Sequence, residues 1–118
     1  MTMTDRLLTQ GEVEHEIVRL SSLLEERTGE YADLCMSEAE TDIAYKRRRD
    51  TMLMNLSVVA PNGTATEKNA RIAMVCADEY AEQRLAEART KSCKEALLSL
   101  RHQLDALRTL AANIRAQT

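Results

Sequence analysis

The chain has 118 residues, of which 44% are hydrophobic and 30% charged, with a formal net charge of -3. These values place it among folded chains and exclude a disordered one. It contains no Trp, no Phe, three Tyr, three Gly and one Pro, which excludes the ring-rich interior of a compact α/β or all-β domain. Ala, Leu, Met, Glu, Arg and Lys dominate, and that bias predicts long helices packed along aliphatic seams.

The first ten residues, MTMTDRLLTQ, carry no apolar leader, and no run approaches the roughly 18 apolar residues of a membrane span. A cytoplasmic protein with no membrane partner is expected. The sequons at Asn55 and Asn62 are then without consequence. Cys35, Cys76 and Cys93 are odd in number and widely spaced, and are read as small, reduced, buried thiols.

Residues 1 to 11 form a polar lead-in ending at Gly11. From Glu12, steps of three and four through Val13, Ile17, Leu20, Leu24, Tyr31, Leu34 or Cys35, Tyr45, Met52 and Leu56 mark one stripe, predicting a helix over about residues 12–56. Gly29 is expected to loosen or kink it. Arg27, Glu38 and Arg49 fall on the seam and weaken it.

The only clear breaker is SVVAPNGTAT, residues 57–66, where Asn62-Gly63 suits a turn with positive φ. Thr64-Ala-Thr-Glu67 fits a capping box. A second helix follows over about residues 65–115. Its first half is Ala-rich, with Ile72, Val75, Cys76, Tyr80 and Leu85 spread around it. From Cys93 onward a heptad appears in Leu97, Leu100, Leu104, Leu107, Ala111 and Ile114, widened by Leu110. The expected fold is all-α: one domain over residues 1–118, an antiparallel, coiled-coil-like hairpin of two long helices. A two-helix hairpin has little interior, so a homo-oligomer is expected.

Charge is uneven. Residues 1–42 hold eleven Asp or Glu against three Lys or Arg, and the remainder carries a net +5. The stretch AYKRRRD, residues 44–50, is the densest cationic cluster. A helix turns 100° per residue, so Arg49 falls on the seam while Lys46, Arg47 and Arg48 point outward near the tip, where Lys68 and Arg71 open the second helix. Two readings stand: a solvated face, or a phosphate-binding patch of five cations. Lys94, Arg101, Arg108 and Arg115 recur every seven residues beside the leucine seam, and pairing with the acidic first half of helix 1 is the favoured role. Met36, Met52, Met54 and Met74 are read as core filling.

His15 and His102 have no metal-ligand spacing around them, so no metal and no cofactor are expected. Neither a Gly-rich phosphate loop nor a nucleophile motif occurs, which argues against an enzyme.

The AYKRRRD helix, the short turn and the long helix ending ALLSLRHQLDALRTLAANIRAQT resemble, in layout over roughly residues 40–116, small all-helical phage proteins of the UvsY-like recombination-mediator family. That resemblance implies a bacteriophage homo-oligomer, a DNA-binding accessory of DNA recombination that holds single-stranded DNA and works with a recombinase or a single-strand-binding protein. Assembly would then fall on Leu97, Leu100, Leu104, Leu107, Leu110 and Ile114, and DNA contacts on Lys46, Arg47, Arg48, Lys68 and Arg71. The chain departs from such a binder in its pI near 5.4 and in having only Tyr31, Tyr45 and Tyr80 to stack bases. The alternative is a coiled-coil adaptor or inhibitor that binds a protein and no nucleic acid.

Overall fold

The computed structural model describes residues 9–117, and the expected polar lead-in falls, for residues 1–8, outside them. The described residues are all-helical, with no strand: α1 spans Gln10–Val59, α2 Ala65–Val75 and α3 Ala77–Gln117.

α1 starts earlier than the apolar stripe predicts. Thr9 Oγ1 accepts the Glu12 amide at 3.1 Å, and Glu12 Oε2 accepts the Thr9 amide at 3.3 Å. This is a reciprocal capping pair that satisfies two orphan donors and brings Gly11 into the first turn. The helix then runs through Gly29 without interruption.

The turn differs from expectation as well. The Gly63 amide donates to Ala60 O at 3.1 Å, closing a turn with Pro61 and Asn62 at its centre, and no described residue has positive φ. Pro second and Gly fourth suit a type I turn, which needs no left-handed residue. Gly63 serves here by close approach: a Cβ on it would lie 3.3 Å from Ala60 O. The predicted capping box is present, with the Glu67 amide donating to Thr64 Oγ1 at 3.2 Å and the Thr64 amide to Glu67 Oε2 at 3.4 Å.

The expected single second helix is two segments meeting at Cys76, whose φ of -95° and ψ of 12° leave the α region. The ladder nonetheless persists on both sides. Cys76 N donates to Ile72 O and Tyr80 N to Cys76 O, each at 2.9 Å. A local dihedral change at a residue only 1% exposed, without Gly or Pro, leaves no mark in the sequence.

The chain divides into two compact units, one made of the chain up to Tyr31 with the chain from Cys93, the other of Ala32–Ser92. In the first, Leu20, Leu100 and Leu104 form a core, with Ile17, Leu23, Leu24 and Leu107 packed against it. As α1 advances from Leu20 to Arg27, its partners on α3 step back from Leu104 to Cys93, whose thiol donates to Arg27 O at 3.8 Å. In the second, Leu56, Ile72 and Cys76 close a core against Tyr45 and Met52. Burying a Leu or Ile side chain of this kind contributes about 1.5–3 kcal/mol.

From Ile72 onward the less exposed positions of α2 and α3 are Ile72, Cys76, Glu79, Gln83, Ala86, Thr90, Cys93, Leu97, Leu100, Leu104, Leu107, Ala111 and Ile114. They alternate steps of four and three throughout. The heptad therefore extends through the Ala-rich half, where the apolar residues are spread around the helix as expected: Ile72 and Cys76 are buried, while Val75, Tyr80 and Leu85 are 40%, 49% and 52% exposed. Knob-into-hole spacing survives there with Ala, Thr, Gln and Glu at seam positions.

Candidate interaction surfaces

The cationic stretch sits in the Ala32–Ser92 unit, on α1, and its members have different neighbours. Lys46 Nζ pairs with Asp42 at 2.8 Å, Arg48 with Glu79 at 3.8 Å and Arg49 with Asp50 at 3.5 Å. The Arg49 guanidinium also lies 5.8 Å from the Tyr45 ring centroid, and that ring meets Tyr80 at 5.4 Å with 57° between planes. Both contacts follow from the seam: Tyr45 occupies it, and Arg49 is one turn further along the same side. Among the described residues, Arg47, Lys68 and Arg71 have no ion pair.

Arg48 is level with Glu79, eight residues beyond Arg71, so about 12 Å of helical rise separates the two cations. The five basic residues thus do not gather at one point. Two already have acids, and three stay open to an anion.

The leucines of the C-terminal heptad are used within the chain. Leu97, Leu100 and Leu104 are 4%, 9% and 1% exposed, Leu107 and Ile114 are half-buried, and only Leu110, at 37%, is exposed. Contacts inside the unit account for the first three without a partner.

Of the basic ladder expected to pair with α1, Arg108 pairs locally instead. Arg108 turns to Asp105 on its own helix at 3.8 Å, while the α1 acids meet cations of α1: Glu16 with Arg19, and Glu30 with Arg27 at 2.8 Å. On α1 the positions following the seam residues Leu20 and Arg27 are the uncharged Ser21 and Thr28, and Glu14, which follows the seam residue Val13, accepts from Gln10 Nε2 on its own helix at 3.1 Å. The Arg19 hydrogen bond holds the Glu16 carboxyl below its ordinary pKa, and the same bond raises that of Arg19. Arg27 is raised likewise by Glu30.

The methionines correct another expectation. Met52 packs on a core, but Met36, Met54 and Met74 are 64%, 72% and 81% exposed. Of the thiols only Cys76 is buried; Cys35 and Cys93 are half-buried and all three are free. A groove of about 480 Å³ runs past Cys35, Glu38, Ala39, Asp42, Gln83 and Glu87. A smaller cleft of about 310 Å³ lies among Tyr45, Ala73, Cys76, Ala77 and Tyr80. No described group of three or more His, Cys, Asp or Glu is arranged to hold a metal ion, and no described helix is long and apolar enough to cross a membrane.

No family model, no curated protein and no solved structure matches the chain.

Proposed function

We propose that the chain is an antiparallel helical hairpin that acts by protein association, first with further copies of itself, as a coiled-coil adaptor. The observation that supports this best is an apolar collar in the Ala32–Ser92 unit. Met54, Val58, Val59 and Met74 are 72%, 78%, 81% and 81% exposed when taken in the order Met54, Val59, Val58, Met74. Met54 lies two residues from Leu56 and Met74 two from Ile72, the pair that closes the core. Met54 and Val58 are one turn apart on the face of α1 turned away from Leu56, and Met74 is on the face of α2 turned away from Ile72, so these side chains ring the core from outside, and exposed apolar side chains in such number suit an interaction surface. The heptad leucines are already buried, so assembly would draw on this collar and on Leu110 more than on Leu97, Leu100 and Leu104.

The test is the solution mass at tens of micromolar. A mass of two or more chains, falling toward one for the pair Val58→Lys and Met74→Lys with unchanged helicity, supports the reading; a single-chain mass for the unaltered protein overturns it. Each substituted side chain is exposed, so the helices themselves should survive.

A second reading, single-stranded DNA binding in recombination with a recombinase as partner, is supported by the three cations that have no acid partner, Arg47, Lys68 and Arg71. The phosphate backbone is the natural counter-charge for such a set.

A further inference from the structure

Two exposed patches on this chain are complementary in charge and in spacing. On α1, Asp33, Met36, Glu40 and Ile43 are separated by three, four and three residues, which confines them to about 80° of the helix circumference. All are exposed, Met36 at 64% and Ile43 at 50%, and Ala39 between them leaves a shallow place in the face. On α3, Lys94, Leu98 and Arg101 span about 60°, with Leu98 44% exposed and a cation one turn to either side of it. Among the described residues, none of Asp33, Glu40, Lys94 and Arg101 has an ion pair.

We propose that the Lys94–Leu98–Arg101 patch of one copy docks on the Asp33–Met36–Glu40–Ile43 patch of another. This rests on the association reading above and adds to the apolar collar a second, charge-matched contact between copies. Asp33 and Glu40 are seven residues apart, as are Lys94 and Arg101, so each pair is separated by about 10.5 Å along its helix. Two helices laid side by side bring both charge pairs together at once, in either direction. With both charge pairs met, Leu98 falls level with Ser37 in a parallel arrangement and with Met36 in an antiparallel one, within one turn of the small Ala39.

The chemistry favours a second copy over an unrelated protein because the chain itself supplies the matching half, at the same repeat and with opposite charge. Glu38 and Asp42, on the same turns of α1, add to the negative potential that meets the incoming cations. The charge pairs are solvent-exposed, so they select register more than they supply affinity. The contact is heterologous, and it closes into a dimer or ring or continues as a chain according to its rotation.

The experiment uses the full chain, its solution mass and its circular dichroism at low salt. In the first variant Asp33→Lys is combined with Glu40→Lys; in the second Lys94→Glu is combined with Arg101→Glu. Each variant alone should self-associate at least about tenfold more weakly than the unaltered chain. An equimolar mixture should recover the mass, because the reversed patches match each other. The milder pair Asp33→Asn with Glu40→Gln should weaken association less and lose its sensitivity to salt. If the unaltered chain associates but both charge-reversed variants keep its mass, or the mixture fails to recover it, the docking proposal is wrong while association stands. If the unaltered chain has the mass of one copy, the association reading itself fails, and this proposal with it.

Discussion

The Thr90 hydroxyl lies 3.3 Å from the Leu34 carbonyl oxygen on α1 and 3.0 Å from that of Ala86 on its own helix. Thr90 is the one buried polar residue among those described, and it takes a seam position between Ala86 and Cys93. Both carbonyls sit inside regular helix, where a backbone amide also serves them. Replacing Thr90 by Val keeps the branched shape and orphans neither carbonyl, so the expected loss is the net worth of one hydrogen bond, about 1 kcal/mol or less. Thr90→Asp places an unpaired charge there and should cost several kcal/mol. Urea midpoints measure both; a Val variant as damaged as the Asp variant would show that the hydroxyl itself holds the helices in register.

Leu104 and Leu110 are both on the leucine-rich end of α3, at 1% and 37% exposure. Leu104→Ala removes atoms from the centre of a core that includes Leu20 and Leu100, and is expected to cost about 2–5 kcal/mol. Leu110→Ala should change stability by less than about 1 kcal/mol. Equal losses in chemical denaturation would contradict the packing described for the Leu20 core.

Helical character, the turn and the Thr64–Glu67 box were legible because each rests on a local signal: an aliphatic period, a Pro-Asn-Gly run, a hydroxyl three residues before a carboxylate. The same box at Thr9–Glu12 was missed, since Gly11 inside it reads as a lead-in and the apolar stripe starts only at Val13. The seam through Glu79, Gln83 and Thr90 was hidden by polarity: those side chains pack by position, whereas the more apolar Tyr80 and Leu85 are exposed. Charge partners were the least legible. A spacing of seven shows which cations share a face, but Arg108 meets Asp105 on its own helix, and which acid a cation reaches is set by side-chain placement that the spacing does not carry.

Gly29 lies inside α1, and a Cβ built on it meets nothing within 4 Å. Its φ is not positive. Gly29→Ala therefore adds no clash while reducing the freedom of the unfolded chain, and should raise stability by about 0.5–1 kcal/mol. A thermal melt that moves down instead would reveal a neighbour pressed against that face, such as a partner copy.

Glu16 carries the pH prediction. Its carboxyl accepts from Arg19 Nε at 3.1 and 3.0 Å, and this hydrogen bond is the main cause of its lowered pKa; the Arg19 and His15 charges add to it, while slight burial opposes it. A carboxyl lowered in the folded state contributes stability above its unfolded value, about 4.3, and loses it as pH falls through the folded value. Glu16→Gln should thus lower stability slightly and evenly at pH 5–7, and the difference should shrink as pH falls below about 4. The effect is small because the pair is open to solvent. A variant that trails the parent equally at pH 3 and pH 7 rules out ionisation as the cause.

The three unpaired cations separate the two functional readings. If Arg47, Lys68 and Arg71 neutralise phosphates of a single strand, each contact releases counterions, and the logarithm of the affinity falls linearly with the logarithm of salt concentration at about -0.7 per phosphate. Three contacts give a slope of about -2. Changing all three to Ala should flatten that slope and weaken binding to every sequence alike, because phosphate contacts carry no base information. Helicity should hold, since Ala is the better helix former and none of the three makes an ion pair among the described residues. Lys46→Ala should do less at low salt, because Asp42 at 2.8 Å already offsets much of that charge. A labelled single strand at about 50 mM salt whose anisotropy stays constant through micromolar protein would make AYKRRRD a solvated face, and would leave the apolar collar as the surface by which the chain works.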